Sequence, residues 1–337
     1  FWRHVAELAA EEQMKAIVCP EFGPPDVLYV EERETPTPGD GELLIEPEAW
    51  GVNYVDALMV AGGYQLKPEL PFVPGLEAAG RIVENRSDNP AFAPGTAVII
   101  GMRPGTFAEQ VVVPKKAVMP VPAGMSMDQA AVMRSAFQTA YHGLVQGGRL
   151  ESGEVALIHG AGGGMGLAAV QVAKLLGATV VATASRLDRL QAALDFGADH
   201  IVSYGDNEGR FREQVRDLVG GADVVFDPVG GDVFDESMRC LNYGARLVIV
   251  GFTSGRAATA RTNHMLIKGA SVVGIRAGEF ARRHPAEGKR NQEVIWAWAS
   301  EGKIQSYISH RFVLEEAADA MRTILDRQVI GRVILER

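Results

Sequence analysis

Cysteine is nearly missing from this chain: Cys19 and Cys240 are its two in 337 residues. They stand far apart and neither belongs to a C-x-x-C pair, which excludes a disulfide framework and a cysteine-rich zinc site. Their expected role is that of small buried hydrophobes. Long apolar runs are missing too. No stretch approaches the roughly 18 apolar residues of a membrane-spanning helix, so no membrane is expected as a partner. The first residues lack the apolar core of a signal peptide, and a cytoplasmic protein is the expectation. Basic charge is in deficit, with 33 Lys and Arg against 42 Asp and Glu and a net charge of -9. Nucleic acid is therefore not an expected partner, because phosphate backbones call for a basic stripe. The 38 glycines and 17 prolines follow no period, so they read as turns rather than collagen or disorder.

What is present is enough apolar content, 47% of residues, to fill sizeable cores. The length suggests about two domains. Residues 1–13 read as an extension or remnant, with Met14 as a natural start. From Met14 to about Pro122, short apolar runs are bounded by Pro and Gly: Glu42–Glu46, Ala79–Glu84, Ala97–Ile100 and Phe107–Val113. Close spacing of this kind predicts a small barrel or sandwich. From about Met127 the period changes. Ser126 can cap a helix, and strands are expected at Thr179–Thr183, His200–Val202, Asp223–Phe226, Arg246–Val250 and Ser271–Gly274, with helices between them. That alternation is the order of a doubly wound parallel sheet. After about Lys268 the chain is expected to leave this sheet. A helix near Asn291–Ser300 and strands at Ser306–Phe312 and Arg332–Glu336 would then complete the first domain. The expected division is 14–126 with 268–337, and 127–267.

The densest signal is Gly160-Ala161-Gly162-Gly163-Gly164-Met165-Gly166, between the apolar run Val155–His159 and an apolar-periodic segment closed by Gly177. Strand, glycine turn and helix in that order let a diphosphate approach bare backbone and sit on helix N-terminal amides. Gly160, Gly163 and Gly166 recur every third residue, which is not the usual G-x-G-x-x-G. About 20 residues further on, an NAD site would carry an acid at the end of the second strand. Here the chain reads Ala184-Ser185-Arg186-Leu187-Asp188-Arg189. A hydroxyl and guanidinium suit a 2′-phosphate, so NADPH is the expected cofactor. Ser185 and Asp188 would serve equally as helix-start residues, with solvated arginines.

Further motifs complete the pattern: Gly51-Val-Asn-Tyr-Val-Asp56, Gly63-Tyr64, Pro68-Glu-Leu-Pro-Phe-Val-Pro-Gly-Leu-Glu77, Thr139-Ala-Tyr141, Phe226-Asp-Pro-Val-Gly-Gly231 and Gly251-Phe-Thr-Ser-Gly255. With His159–Gly166, they resemble the medium-chain dehydrogenase/reductase superfamily from Met14 onward, and within it the zinc-independent NADPH:quinone oxidoreductases similar to zeta-crystallin. The resemblance implies an α/β chain with a GroES-like β-rich catalytic domain, a Rossmann domain, and homodimers paired through Rossmann edge strands. It places Asn53 near the nicotinamide, with Tyr54 and Tyr64 as neighbouring hydroxyls. It also assigns Thr139, Gly160, Gly163, Gly164, Met165, Gly166, Ser185, Arg186, Tyr204, Phe252, Thr253, Ser254 and Arg327 to the cofactor. Asp227 fits a turn cap as well as a site. In the zinc-dependent branch a cysteine stands where this chain has Asn53, and a Gly-His-Glu motif where it has Gly75-Leu76-Glu77. Two ligands are thus replaced, and no metal is expected. The seven histidines (His4, His142, His159, His200, His264, His284 and His310) show no ligand spacing, and surface or turn roles are the expectation for each.

Three functions stay open at this point. One is hydride, or single-electron, transfer to a quinone, which needs no strong acid. Another is reduction of a 2-enoyl thioester or enone, where Tyr64 would donate the proton. The third is NADPH binding by a non-enzymatic crystallin-like or sensor protein.

Overall fold

The computed structural model describes residues 13–205 and 210–337. Apart from Gln13, the expected extension lies outside the described residues. Gln13 itself opens β1 (Gln13–Val18), which pairs antiparallel with β2 (Tyr29–Glu34), Gln13 opposite Glu34.

Five strands follow: β3 (Glu42–Val52), β4 (Glu77–Asn85), β5 (Ala97–Gly101), β6 (Val111–Pro114) and β7 (Val118–Pro120). Pro47 lacks a ladder donor and marks the expected end of β3, yet the strand runs through it. The pairing with β4 shifts register between Pro47 and Ala49, and a bulge is where a sheet tolerates proline. The run Phe107–Val113 is a strand only from Val111. Its first part instead turns to β1, where the Ile17 N–H donates to the Phe107 carbonyl at 2.9 Å.

The helix Met127–His142 starts beside Ser126, whose Oγ accepts from the Gln129 N–H at 3.4 Å. Six strands come next: β8 (Val155–Ile158), β9 (Thr179–Ala184), β10 (His200–Ser203), β11 (Ala222–Asp227), β12 (Leu241–Ile249) and β13 (Ser271–Gly274). They form a parallel sheet in the order β10-β9-β8-β11-β12-β13. Ala156, Leu157, Ile158, Val180, Val181, Val225 and Phe226 are fully buried. Such uninterrupted apolar runs are what a sheet covered on both faces requires. The chain starts in the middle, moves out to β10, and resumes on the far side of β8. Strand order therefore reverses between β8 and β11, and a crevice opens at the carboxyl ends there.

The last strands are β14 (Ile308–Val313) and β15 (Arg332–Glu336). β15 pairs antiparallel with β3, in a seven-stranded sheet that also holds β4, β5, β6, β7 and β14. Val333, Leu335 and Leu314 share one apolar core with Leu43, Ile45, Trp50, Ile82 and Phe107. Full burial of a side chain of this size is worth about 1.5–3 kcal/mol.

Two compact units result. One comprises the described residues up to Arg134 together with Ile308–Arg337; the other is Ser135–Tyr307. The return to the first unit thus comes at Ile308 rather than at 268. β13 is the edge strand of the parallel sheet, and the helix Pro285–Ser300 also belongs to the second unit. Contacts hold it there: the Asn291 and Gln146 amides bond reciprocally at 3.0 and 3.1 Å, and Trp298 meets the Tyr141 ring at 5.6 Å. Among the described residues, no helix is long and apolar enough to cross a membrane.

Candidate active site

The second unit is built around the turn after β8. Gly160 has φ +59°, a conformation that side chains resist. A Cβ on Gly166 would stand 2.2 Å from the Gly160 carbonyl oxygen, and one on Gly162 would stand 2.4 Å from Arg189 Cβ. Gly163 caps the helix Gly164–Leu175. Gly164, Met165 and Gly166 occupy its first turn, where backbone N–H groups have no intrahelical acceptor. The strict positions are therefore Gly160, Gly162 and Gly166. The regular spacing at every third residue did not single out Gly162.

The loop after β11 lies beside this turn. A Cβ on Gly160 would reach Pro228 and Val229 at 3.4 and 3.5 Å. Asp227 is fully buried, and its Oδ1 accepts from the Val229 and Gly230 N–H groups at 2.7 and 2.9 Å. Burial pushes its carboxyl up, against the pull of those two bonds. Asp227 is thus the turn cap. Gly230 and Gly231, at φ +70° and +58°, let the chain after β12 close over this cap. A Cβ at either position would come within 2.9 Å of Phe252 or 2.8 Å of Ser254. The Thr253 and Ser254 N–H groups donate to the Pro228 and Val229 carbonyls at 3.0 Å each. Phe252, Thr253 and Ser254 are exposed at this rim.

Ser185 and Arg186 are exposed at the end of β9. Tyr204 follows β10, its N–H donating to the Ala184 carbonyl at 3.2 Å, and Gly205 crosses closely over Ser185. Arg186 pairs with Asp188, and its Nε donates at 3.1 Å. That bond holds the Asp188 carboxyl below its ordinary range. Arg189 packs over the glycine turn at Gly162, one helical turn beyond Arg186. Thr139 is half-buried on the helix Met127–His142. The second unit thus brings the glycine turn, Ser185, Arg186, Tyr204 and Phe252–Ser254 to the carboxyl ends of one sheet.

His159 departs from the expected surface role, since it is fully buried. The Ser237 hydroxyl donates its single proton to the Val233 carbonyl at 2.7 Å. Its oxygen therefore accepts from His159 Nε2–H at 2.6 Å, and Nδ1 accepts from the Thr183 hydroxyl at 2.7 Å. Burial pushes the imidazole down to about 3. It is a neutral clamp joining β8, β9 and the helix Gly231–Ser237.

The first unit holds Asn53, Tyr54, Tyr64 and Arg327. Asn53 caps the helix Tyr54–Val60 and is almost fully buried. Its Oδ1 accepts from Arg332 Nη1 at 2.9 Å, and its Nδ2 donates to Glu77 Oε1 at 3.1 Å. Arg332 also donates to Glu77, and both side chains are buried. The Asn53 N–H donates to Asp56 Oδ2 at 2.8 Å. Burial pushes the Asp56 carboxyl up to about 7, helped by the Glu77 charge and opposed by that N–H. Tyr54 is exposed and Tyr64 half-buried in the bend after its helix. Arg327 is exposed just beyond the helix Ala317–Leu325, at φ +57°. Arg332 and Asp56 are the members that sequence reading missed. A lone arginine opening an apolar strand was the available signal.

Comparison with known proteins agrees with this layout. Residues 39–123 match the family described as alcohol dehydrogenase GroES-like domain, and residues 164–289 match the family described as zinc-binding dehydrogenase. Quinone oxidoreductase-like protein 2 of Bos taurus is 34% identical over 95% of this chain and 92% of its own length. The chain belongs to the quinone oxidoreductase family of medium-chain dehydrogenases/reductases. In solved structures, a probable oxidoreductase from Mycobacterium abscessus superposes with a TM-score of 0.88 at 32% identity, covering 97% of this chain and all 100% of that one. Escherichia coli quinone oxidoreductase, crystallised with NADPH, gives 0.87 at 26% identity, over 96% of this chain and 100% of its own. Both expected halves, GroES-like and Rossmann, are thus those of the family.

Proposed function

We propose that this protein is an NADPH-dependent reductase that delivers hydride, or single electrons, to quinones without zinc. The observation that carries the reading is the cradle at the β8–β11 reversal, where a Cβ on Gly166 would strike the Gly160 carbonyl. A glycine turn feeding a helix N-terminus at such a reversal is where a diphosphate binds. The first-turn amides of the helix Gly164–Leu175 would bind that diphosphate. Ser185 and Arg186 would take the 2′-phosphate, with Tyr204 beside them, while the Phe252–Ser254 rim flanks the ribose. Bound NADPH supplies the reducing hydride from its nicotinamide ring. The protein aligns donor and acceptor and keeps water out. Relatives crystallised with NADPH support the same assignment.

Zinc independence rests on the donor set. The two residues standing at the zinc branch's ligand positions are Asn53 and Leu76. Leu76 carries no metal-binding atom, and Asn53 already bonds to Glu77 and to the Arg332 guanidinium, which also donates to Glu77. A cation is built into the site, so a divalent metal would have to displace it.

The acceptor is tested by supplying NADPH with 9,10-phenanthrenequinone, 1,4-benzoquinone, crotonyl-CoA and a simple enone. Turnover of the quinones, retained in Tyr64→Phe, is expected. Turnover confined to the enone or thioester, and lost in Tyr64→Phe, would replace the quinone reading with the enoyl one.

A homodimer is part of the same proposal. β13 is an edge of the parallel sheet. Leu266, Ile267 and Tyr243 are exposed nearby at 83%, 71% and 83%.

A further inference from the structure

One cleft of the second unit is lined by none of the residues assigned above to the cofactor. It measures about 400 Å³ and lies at the carboxyl end of the edge strand β13, between the end of the helix Met127–His142 and the helix Ala277–Arg283. That volume is within the range of small-molecule sites, about 300–1,000 Å³.

Its wall is a row of rings. Phe280 stacks on His142 with centroids 4.2 Å apart, and His284 stands 4.9 Å beyond. The Gln146 carbonyl oxygen accepts from both Asn291 Nδ2 and His142 Nδ1, at 3.1 Å each. His142 is thereby fixed in orientation with its proton on Nδ1. Burial lowers its basicity, so the ring is neutral at pH 7.

Its charge is positive. Glu279 is the carboxylate in the lining, and both Arg282 and Arg283 bond to it, at 2.6 and 2.7 Å. Those two partners, Arg283 foremost, hold its carboxyl down to about 2. Arg276 follows β13 directly into the same lining, exposed, and its side chain has no bond or ion pair among the described residues. The lining therefore sets two guanidinium groups, Arg276 and Arg283, against one carboxylate, and Arg276 is the group left over for a ligand. A planar guanidinium next to flat rings matches a carboxylate carried on an aromatic body.

We infer that this cleft binds a planar ring compound bearing a carboxylate, with Arg276 on the acid group and the His142–Phe280–His284 row against the ring. The binding does not depend on the reductase reading.

The probe is 2-naphthoate, titrated calorimetrically into the whole protein, with 2-naphthamide as its uncharged counterpart. Saturable binding at one site per chain is expected, with the amide at least about tenfold weaker. Arg276→Gln, an exposed change away from the core, should weaken 2-naphthoate about 10- to 100-fold and leave 2-naphthamide unchanged. Phe280→Leu should weaken both probes. Equal affinity for acid and amide, undiminished binding in Arg276→Gln, or no saturable binding would overturn the inference. Retained 2-naphthoate binding in a protein that reduces no quinone would overturn the reductase reading alone.

Discussion

Arg186 is the residue on which the choice of dinucleotide turns. Its present partner is Asp188, and both are about half exposed. An exposed pair of that kind is worth about 0–1 kcal/mol, so a doubly charged phosphate can draw the guanidinium away. Arg186→Ala should raise the KM for NADPH about tenfold and barely move that for NADH. Unchanged KM values for both cofactors would place the 2′-phosphate elsewhere. His159 makes a separate statement, about stability. Its folded-state basicity is depressed from 6.5 to about 3. Between those values the unfolded chain binds a proton that the folded chain refuses. The stabilising effect is therefore complete above pH 6.5 and is lost as pH falls toward 3, at about 1.4 kcal/mol per pH unit. In urea unfolding, the stability gap between the parent and His159→Gln should shrink from pH 7 to pH 4. A gap independent of pH would show that the imidazole is not held neutral. The single residues were legible where backbone chemistry dictates type, as at Gly160 and Gly166. They were not legible where burial decides. Nothing in the order of residues distinguishes His159 from an exposed histidine. Arg332 meets Asn53 and Glu77 only because β15 lies beside β3.

At the scale of elements, the glycine turn and the helix it feeds were readable because strand, turn and helix follow one another locally. The same holds for most strands of the parallel sheet. From sequence β3 is expected to end at Glu46 because Pro47 is a reasonable stop, and only the partner strand shows that a bulge absorbs it. The helix expected near Asn291–Ser300 belongs instead to the second unit, held there by partners, Tyr141 and Gln146, that are remote in sequence. The turn gives the sharpest element-level expectation. Gly166→Ala sets a methyl against the Gly160 carbonyl and Ala161 Cα, at 2.2 and 2.7 Å. The helix start must move, so NADPH binding should weaken by at least about tenfold, together with a loss of about 1–3 kcal/mol in stability. Gly163→Ala, which meets only the Gly160 oxygen at 3.4 Å, serves as the control and should be mild. Fluorescence titration with NADPH on both variants checks this, and equal affinities would contradict the close-packed cradle.

For the whole molecule, the division into a β-rich unit and a parallel-sheet unit followed from the change of apolar period near Met127. The order β10-β9-β8-β11-β12-β13 then fixes where a dinucleotide can lie. The exposed apolar group by β13 bears on assembly. Ile267→Glu places a charge on that surface and should convert a dimer to a monomer in light scattering, with little change in the melting temperature of the chain itself. A parent protein that is already monomeric would remove the edge-strand proposal.

The central claim is a zinc-free NADPH cradle serving a quinone reductase. Its most direct measurement is the oxidation of NADPH, followed at its nicotinamide absorbance, by chelator-treated protein with 9,10-phenanthrenequinone, alongside NADH at the same concentration. Turnover that survives metal removal and favours NADPH is the predicted result. Activity that vanishes with the metal, or that runs better on NADH, would contradict it.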